Sequence, residues 1–432
     1  MILLLLFKLE MRILFVLLTL NLIILFFFSD VIFGVPVISL FPFFFIIYFL
    51  LFFDRKTLRL FSNQDSINFL FISFFLYNVF VYLLNIQSAE NLELNYKYIN
   101  SSKANYLYLK TSLNGLLSIL VFFVAYNIGK YLKEKEITIY VFLKVLLILC
   151  FANSVANIHT WFISTGGTIG RYNFTPLLVP SQGISIQYSI FGFLIFLSSG
   201  KNLVRNIQIR IFLLAIFMLS IIIIFSRQAQ ILFISIVVLY YYLINDKQNG
   251  IGKYLYLLLV PLVLVGAFVI YSSLGLLSLF QQSVDLEGID ILLRIASFNE
   301  ALRIFYENPV FGTGHGMFAL HNKLLVPVAG EEGVMTSPHN GLASIFSELG
   351  VIGLFLIFYL ILKIYKKVFK YKLRKSKLLN MLMSIYLVYT LSLFFSNFFL
   401  LPPPTEYIYY GSAFVFWLLI GYYSFNDREY YD

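Results

Sequence analysis

The chain has 432 residues, of which 60% are hydrophobic and only 12% charged, with a formal net charge of +10. A soluble domain carries about 25% charged residues, so the composition excludes a soluble globular protein and requires one built into a membrane. The lone cysteine, Cys150, excludes disulfides within the chain and a cysteine-based metal site.

A membrane-crossing helix needs about 20 apolar residues, and the apolar runs predict about twelve of them. In chain order they are 13–28, 31–53, 67–84, 111–128, 137–156, 181–198, 209–225, 228–244, 254–273, 338–362, 378–400 and 407–424. The apolar start has no small-residue cleavage site after it, so an uncleaved first helix is expected rather than a signal peptide. The stretch 209–244 is apolar except for Ser226-Arg227-Gln228. As one helix it would reach about 54 Å, against a hydrocarbon core of about 30 Å. It therefore reads as a hairpin with Arg227 at the tip. The predicted fold is an all-α polytopic membrane protein, a single transmembrane domain over 1–432, with no internal repeat and no soluble domain.

Lysine and arginine set the orientation. With the N-terminus inside, the inner segments receive most of the basic residues, including the run Lys363 to Lys377. The outer segments receive only Lys97, Lys103, Lys110, Arg171, Arg227, Arg294, Arg303 and Lys323. Both termini are thus expected in the cytoplasm. The positive charge is a topology signal, and the Lys363–Lys377 run suits a face against anionic lipid. Nothing in it calls for a nucleic-acid partner.

The largest outer loop is 274–337. Within it Ile291, Leu292, Ile295, Phe298, Leu302 and Phe305 recur at helical spacing, while Asp290, Arg294, Ser297, Glu300 and Glu307 fall mainly on the other side. This predicts an amphipathic helix over 289–307, lying at the outer membrane-water boundary and ended by Asn308-Pro309.

Polar groups are costly in such a chain, so their concentration points to chemistry. His339 follows Ser337-Pro338, a good N-cap and first helical position, and is expected in the first turn of a transmembrane helix. At 100° per residue, Ala343, Phe346, Gly350 and Gly353 fall within about 40° of it, with Glu348 opposite. The small residues read either as close helix packing or as a slot for a lipid chain whose head group reaches His339. Arg227 reads as a snorkelling anchor or as an anion-binding arginine, whose fork matches pyrophosphate oxygens. Arg171, after Gly166-Gly167-Thr168-Ile169-Gly170, lies in a plain surface loop or in one folded around a ligand. Arg294 and Arg303 are nine residues apart and face opposite sides of one helix. Arg294 is the one on the polar stripe, and Arg303 is expected toward lipid head groups. Gly312-Thr313-Gly314-His315-Gly316 is a glycine-rich turn or an amide nest for an anion. His315 and His321 have no acidic neighbour at metal-ligand spacing. Asp30 reads as a helix cap or as a carboxylate in the first outer turn, and Lys144 can snorkel to the inner side.

Four of these segments resemble the O-antigen polymerase and O-antigen ligase superfamily over roughly 160–365. Gly170-Arg171-Tyr172-Asn173-Phe174 resembles its arginine-containing outer loop, and Phe225-Ser226-Arg227-Gln228 its Ser-Arg hairpin. Arg294 through Glu300-Ala301-Leu302 to Asn308-Pro309-Val310-Phe311-Gly312-Thr313-Gly314 resembles its loop helix and Pro-x-x-Gly-x-Gly turn. His339-Asn340 with Gly350 and Gly353 resembles its histidine-glycine stretch. The resemblance implies a metal-independent glycosyltransferase of the multi-spanning, C-type-like fold, with no cofactor, in the bacterial inner membrane with its site on the outer face. Its donor would be an oligosaccharide on undecaprenyl pyrophosphate. The acceptor would be a glycan for a polymerase or lipid A–core for a ligase, and a polymerase would work with a chain-length regulator. Arg227 and His339 would be catalytic. Arg171, Arg294, Arg303, Asn340 and Gly314 would bind pyrophosphate or glycan, and Ala343, Gly350 and Gly353 would line the lipid groove. The match does not separate polymerase from ligase; the diversity of polymerases favours that reading. A lipid-linked oligosaccharide flippase is the non-enzyme alternative. It would be expected to carry polar or charged residues near the midplane and repeat symmetry between its halves, whereas here the arginines sit at the outer boundary and the one large loop has no counterpart in the first half.

Overall fold

In the computed structural model the described residues are 31–32, 35–36, 65–86, 101–134, 139–165, 182–223, 227–244, 294–322, 325–328, 331–334, 338, 340–369, 376–391 and 410–424. A minimal hairpin pairs β1 (Val31–Ile32) with β2 (Val35–Pro36). The helices follow as α1 (Ser66–Asn85), α2 (Ser101–Glu134), α3 (Ile139–Thr165), α4 (Gln182–Leu203), α5 (Ile207–Ile223) and α6 (Arg227–Ile244). Then come α7 (294–307), α8 (Phe318–His321), and a second hairpin of β3 (Leu325–Val328) and β4 (Glu331–Val334). The chain continues with α9 (Gly341–Ile364), which runs into a π turn at Tyr365–Phe369, then α10 (Lys377–Leu391) and α11 (Tyr410–Ser424).

Among the described residues the protein is thus helical apart from two small hairpins, and it is a multi-pass membrane protein. Among the described residues Ser66–Asn85, Tyr108–Glu134, Ile139–Ile163 and Gly341–Phe369 are long and apolar enough to cross a membrane, and shorter apolar helices lie at Ile207–Ile223, Leu232–Ile244, Lys377–Leu391 and Ala413–Ser424. The spans predicted at 13–28 and 254–273 lie outside the described residues. Of the one predicted at 31–53, only Val31–Ile32 and Val35–Pro36 are described, and they pair as a hairpin; the rest lies outside the described residues. The β3–β4 hairpin and α8 were not expected in the outer loop.

The chain gathers into two compact units, Met1–Val145 with Ala296–Tyr371 and Leu393–Asp432, and Leu146–Ile295 with Lys372–Ser392. In the first, α11 lies along α2 at glycine-mediated contacts: a Cβ on Gly129 would stand 2.7 Å from the Tyr422 amide nitrogen, and one on Gly421 would be 2.8 Å from the Tyr126 carbonyl carbon. Lipid tails are as apolar as leucine, so membrane helices associate through such close approaches rather than through the hydrophobic effect. Trp417 fills the seam, fully buried, with its ring 4.7 Å from that of Phe71.

One end of this unit is closed by a buried ion cluster. Asp65 caps α1 by accepting from the Ile67 amide. Its carboxylate meets Lys130 of α2 at 2.7 Å and Lys367 of the π turn at 3.0 Å. Tyr126 donates to the same carboxylate, and Ser424 at the end of α11 donates to Tyr126. The start of α1 and the ends of α2, α9 and α11 therefore meet.

Burial raises the Asp65 pKa, but the two ammonium groups outweigh it and hold the carboxyl at about 2, below its ordinary 3.8. A depressed carboxyl contributes stability above its unfolded pKa and loses it as pH falls through the folded one. Asp65→Asn, which keeps the capping oxygen but removes the charge, is expected to cost on the order of 3 kcal/mol in unfolding measured in detergent at pH 7. The gap to wild type should close between pH 4 and 2. Equal stability at pH 7 would remove the ion cluster from the account of this fold.

The second unit packs α4 against α5, α6 and α10. Its interior holds a hydroxyl and amide network. Asn157 donates to Ser220 at 3.0 Å, Ser185 donates to Asn157 at 2.7 Å, and Ser189 lies 2.8 Å from Ser220 and 3.0 Å from Ser154. These residues tie α3, α4 and α5 together with polar groups satisfied by one another, as small polar residues do between membrane helices.

Candidate functional site: a broken helix and the loop that fills it

The first unit departs most from regular structure at Gly350. Its φ of 58° and ψ of −165° break α9 into two halves, a region of backbone space open essentially only to glycine. Freed backbone groups inside a membrane protein must find partners within the protein, and here the segment after α7 supplies them. Val351 and Ile352 donate to the carbonyls of Pro309 and Val310, while Thr313 and Gly314 donate to those of Ser347 and Glu348. Tyr77 of α1 donates its hydroxyl to the carbonyls of both Phe311 and Leu349. Asn308-Pro309 does end α7, as the sequence predicts, and Pro309 leaves its carbonyl free for this purpose.

Glu348, a buried carboxylate, completes the closure. Oε2 accepts from the Gly316 amide at 2.9 Å and Oε1 from the Phe318 amide at 3.2 Å, and His315 Nδ1 lies 3.7 Å away. The other turn amides are engaged too: Gly312 donates to Asn308 and His315 to the Asn78 side chain. Of the Gly312–Gly316 amides only that of Gly316 meets a carboxylate, and it is the protein's own Glu348. Gly314, expected to contact substrate, is buried with its φ at 106° and its amide committed to the Glu348 carbonyl. Asn78 and Tyr82 of α1 hold the turn from the other side, Tyr82 donating to the His315 carbonyl at 2.6 Å.

Several expectations are corrected. The N-cap of α9 is Asn340, not Ser337: its side chain accepts from the Ala343 amide at 3.0 Å, and the helix starts at Gly341. Asparagine caps at least as well as serine; His339, expected in the first turn, lies outside the described residues. The predicted small-residue lipid groove is filled by protein. Ala343 packs with Ala301, Ile304 and Phe318. A Cβ on Gly350 would stand 2.6 Å from the Gly312 nitrogen, and one on Gly353 would stand 3.4 Å from the Tyr77 ring. Close packing is therefore the role these three residues show.

On α7 the face turned to the protein is Ser297, Ala301 and Ile304, all buried, and Ser297 donates to the Pro338 carbonyl at 3.2 Å. Ile295 and Phe298 are exposed, as an interfacial helix would leave them for lipid. Small residues, not the largest, allow the helix to lie close. Arg303 is not turned to head groups: it pairs with Glu300 and Glu307 and donates to the His321 carbonyl at 2.7 Å. The two carboxylates hold its pKa above the ordinary value. His321 behind it is desolvated and, with Arg303 adding to the effect against Glu307, drops to about 4, so it is neutral at pH 7. Arg294 opens the described part of α7 and is half-buried. Lys144 is exposed on α3. Arg227 is the first residue of α6; its side chain and that of His339 lie outside the described residues, as do Arg171 and Asp30. Among the described residues no cluster of His, Cys, Asp or Glu could hold a metal ion.

The chain is thus a multi-pass helical membrane protein whose buried polar chemistry, in its first unit, gathers at a discontinuous helix and the loop before it. Residues 211–358 match the family described as O-antigen ligase, and this match supports the resemblance to the O-antigen ligase and polymerase superfamily over that segment. The match takes in Arg227, α7, the glycine turn, His339 and both halves of the break, but not Arg171. No curated protein matches the chain.

Proposed function

We propose that the protein is a surface-polysaccharide polymerase of the inner membrane. It would transfer a glycan from undecaprenyl pyrophosphate to the end of an acceptor glycan at the outer face. The observation that supports glycan transfer of this class, by polymerase or ligase, is the family match over 211–358, because it spans the segments that hold Arg227, Arg294, the glycine turn and His339. In the proposed reaction His339 takes the proton of the acceptor hydroxyl, for which imidazole suits neutral pH. The hydroxyl oxygen attacks the anomeric carbon and the bond to the pyrophosphate oxygen breaks. Arg227, with Arg171 and Arg294, stabilises the charge on the leaving pyrophosphate. Direct attack inverts the anomeric centre. No metal or cofactor enters.

The family's description favours a second reading, in which finished glycan is moved to lipid A–core. A flippase is the third. A discontinuous helix also serves transporters, but here the freed backbone groups are closed by Pro309–Gly314 instead of being left for a solute.

Deleting the gene in its host and separating the surface glycan on a gel decides among them. Lipid A–core carrying a single repeat unit is the expected result and marks a polymerase. Bare core, with long polymer still on the carrier lipid, would mark a ligase, and an unchanged ladder would refute both. Complementation with His339→Ala should fail; rescue would take His339 out of the mechanism.

A further inference from the structure

The half-helix Gly341–Leu349 is joined to the rest of α9 only through Gly350, whose backbone has left the helical region. A helix interrupted in this way has no rigid hydrogen-bond ladder to fix the direction of its first half. That direction must come from whatever fills the break. In this structure it is the 309–318 segment, held on one side by Tyr77, Asn78 and Tyr82 of α1 and on the other by α9 itself. The side chain that α9 contributes is Glu348. It accepts two amides, one at each end of the Gly316–Phe318 corner, while its own carbonyl takes a third from Gly314. Glu348 is buried, and a carboxylate is costly to bury unless it is bonded in this way.

We propose that Glu348 is a positioning residue. By clamping the Gly316–Phe318 corner into the break it fixes the direction of the half-helix, and with it the place of the Asn340 cap at its start. Glutamate suits this task because both of its oxygens are acceptors, whereas glutamine has one oxygen to offer two amides. This inference rests on the functional reading above only for its consequence in turnover. The clamp itself is a statement about the helix.

The test places spin labels on cysteines introduced at Leu342, in the first half of α9, and at exposed Phe355, in the second half, in a Cys150→Ser background. The full-length protein is reconstituted in nanodiscs. A single narrow distance distribution is expected for the parent, a clearly broadened or shifted one for Glu348→Ala, and an intermediate one for Glu348→Gln, with all three monodisperse and equally helical. An unchanged distribution in Glu348→Ala overturns the proposal. Should Glu348→Ala fail to fold, Glu348→Gln decides: a distribution identical to the parent's overturns the clamp.

Turnover is then measured with lipid-linked glycan isolated from the deletion host. Glu348→Ala is expected to lower kcat at least tenfold with KM for the donor within about twofold, and Glu348→Gln to restore part of kcat. A broadened distribution with unchanged kcat would refute the positioning role. A parent protein without transferase activity would sink the functional reading instead, leaving the distance measurement to decide the clamp.

Discussion

Gly350→Ala is expected to destabilise the first unit severely. At φ 58° and ψ −165° an L residue is strained, by roughly 1–3 kcal/mol. The added methyl would also stand 2.6 Å from the Gly312 nitrogen and the Val310 oxygen. These are backbone atoms, fixed by the hydrogen bonds that close the break, so they cannot swing aside as a side chain would. Overpacking adds about 1–3 kcal/mol. Together these take a large part of the roughly 5–15 kcal/mol that holds a domain folded. The checking measurement is thermal unfolding and monodispersity in detergent, with Gly200→Ala as the control. In α4 a Cβ on Gly200 would meet the Phe196 ring at an ordinary 3.6 Å, and alanine is the better helix former, so that variant should match or exceed wild type. A Gly350→Ala protein as stable as wild type would mean that α9 can run straight there and that the loop does not depend on the break.

Arg227→Ala is expected to lower glycan transfer from the undecaprenyl-pyrophosphate donor by about 100- to 1000-fold, the size of effect seen when a group stabilising a developing oxyanion is removed. Folding should survive, because Arg227 is the first residue of α6 and a helix start depends little on one side chain. Arg227→Lys should recover only part of the loss, since an ammonium lacks the fork that meets two phosphate oxygens at once. Donor binding and turnover are both measured on purified protein. Binding and turnover within a few-fold of wild type would leave Arg227 as a hairpin anchor and remove it from the site.

The class of protein was legible in composition, because only a membrane makes a chain with 60% hydrophobic and 12% charged residues stable. The helices α1 to α6 and α9 to α11 fall where the apolar runs predict, because a span is a local property: its length and hydropathy are written in consecutive residues. The end of α7 at Asn308-Pro309 was equally local. So were the segments of family resemblance, which the match over 211–358 supports for all but the Arg171 loop.

What the sequence by itself could not decide is which small or polar residue meets which partner across the fold. A helical wheel assumes an unbroken helix, and so it set Glu348 opposite His339 and strung Ala343, Gly350 and Gly353 into a lipid groove. Only the tertiary structure shows that α9 breaks at Gly350, because the break is stable only when a distant segment, Pro309 to Gly314, satisfies the freed backbone. The same long-range accounting committed the amides of the glycine turn to partners within the protein, Glu348 among them, withdrew Arg303 into a pair with Glu300 and Glu307, and gathered Asp65, Lys130 and Lys367 from three separate elements into one ion cluster. Local sequence fixes where helices form. The cost of an unpartnered polar group in an apolar interior, which no window of sequence can measure, fixes how they meet.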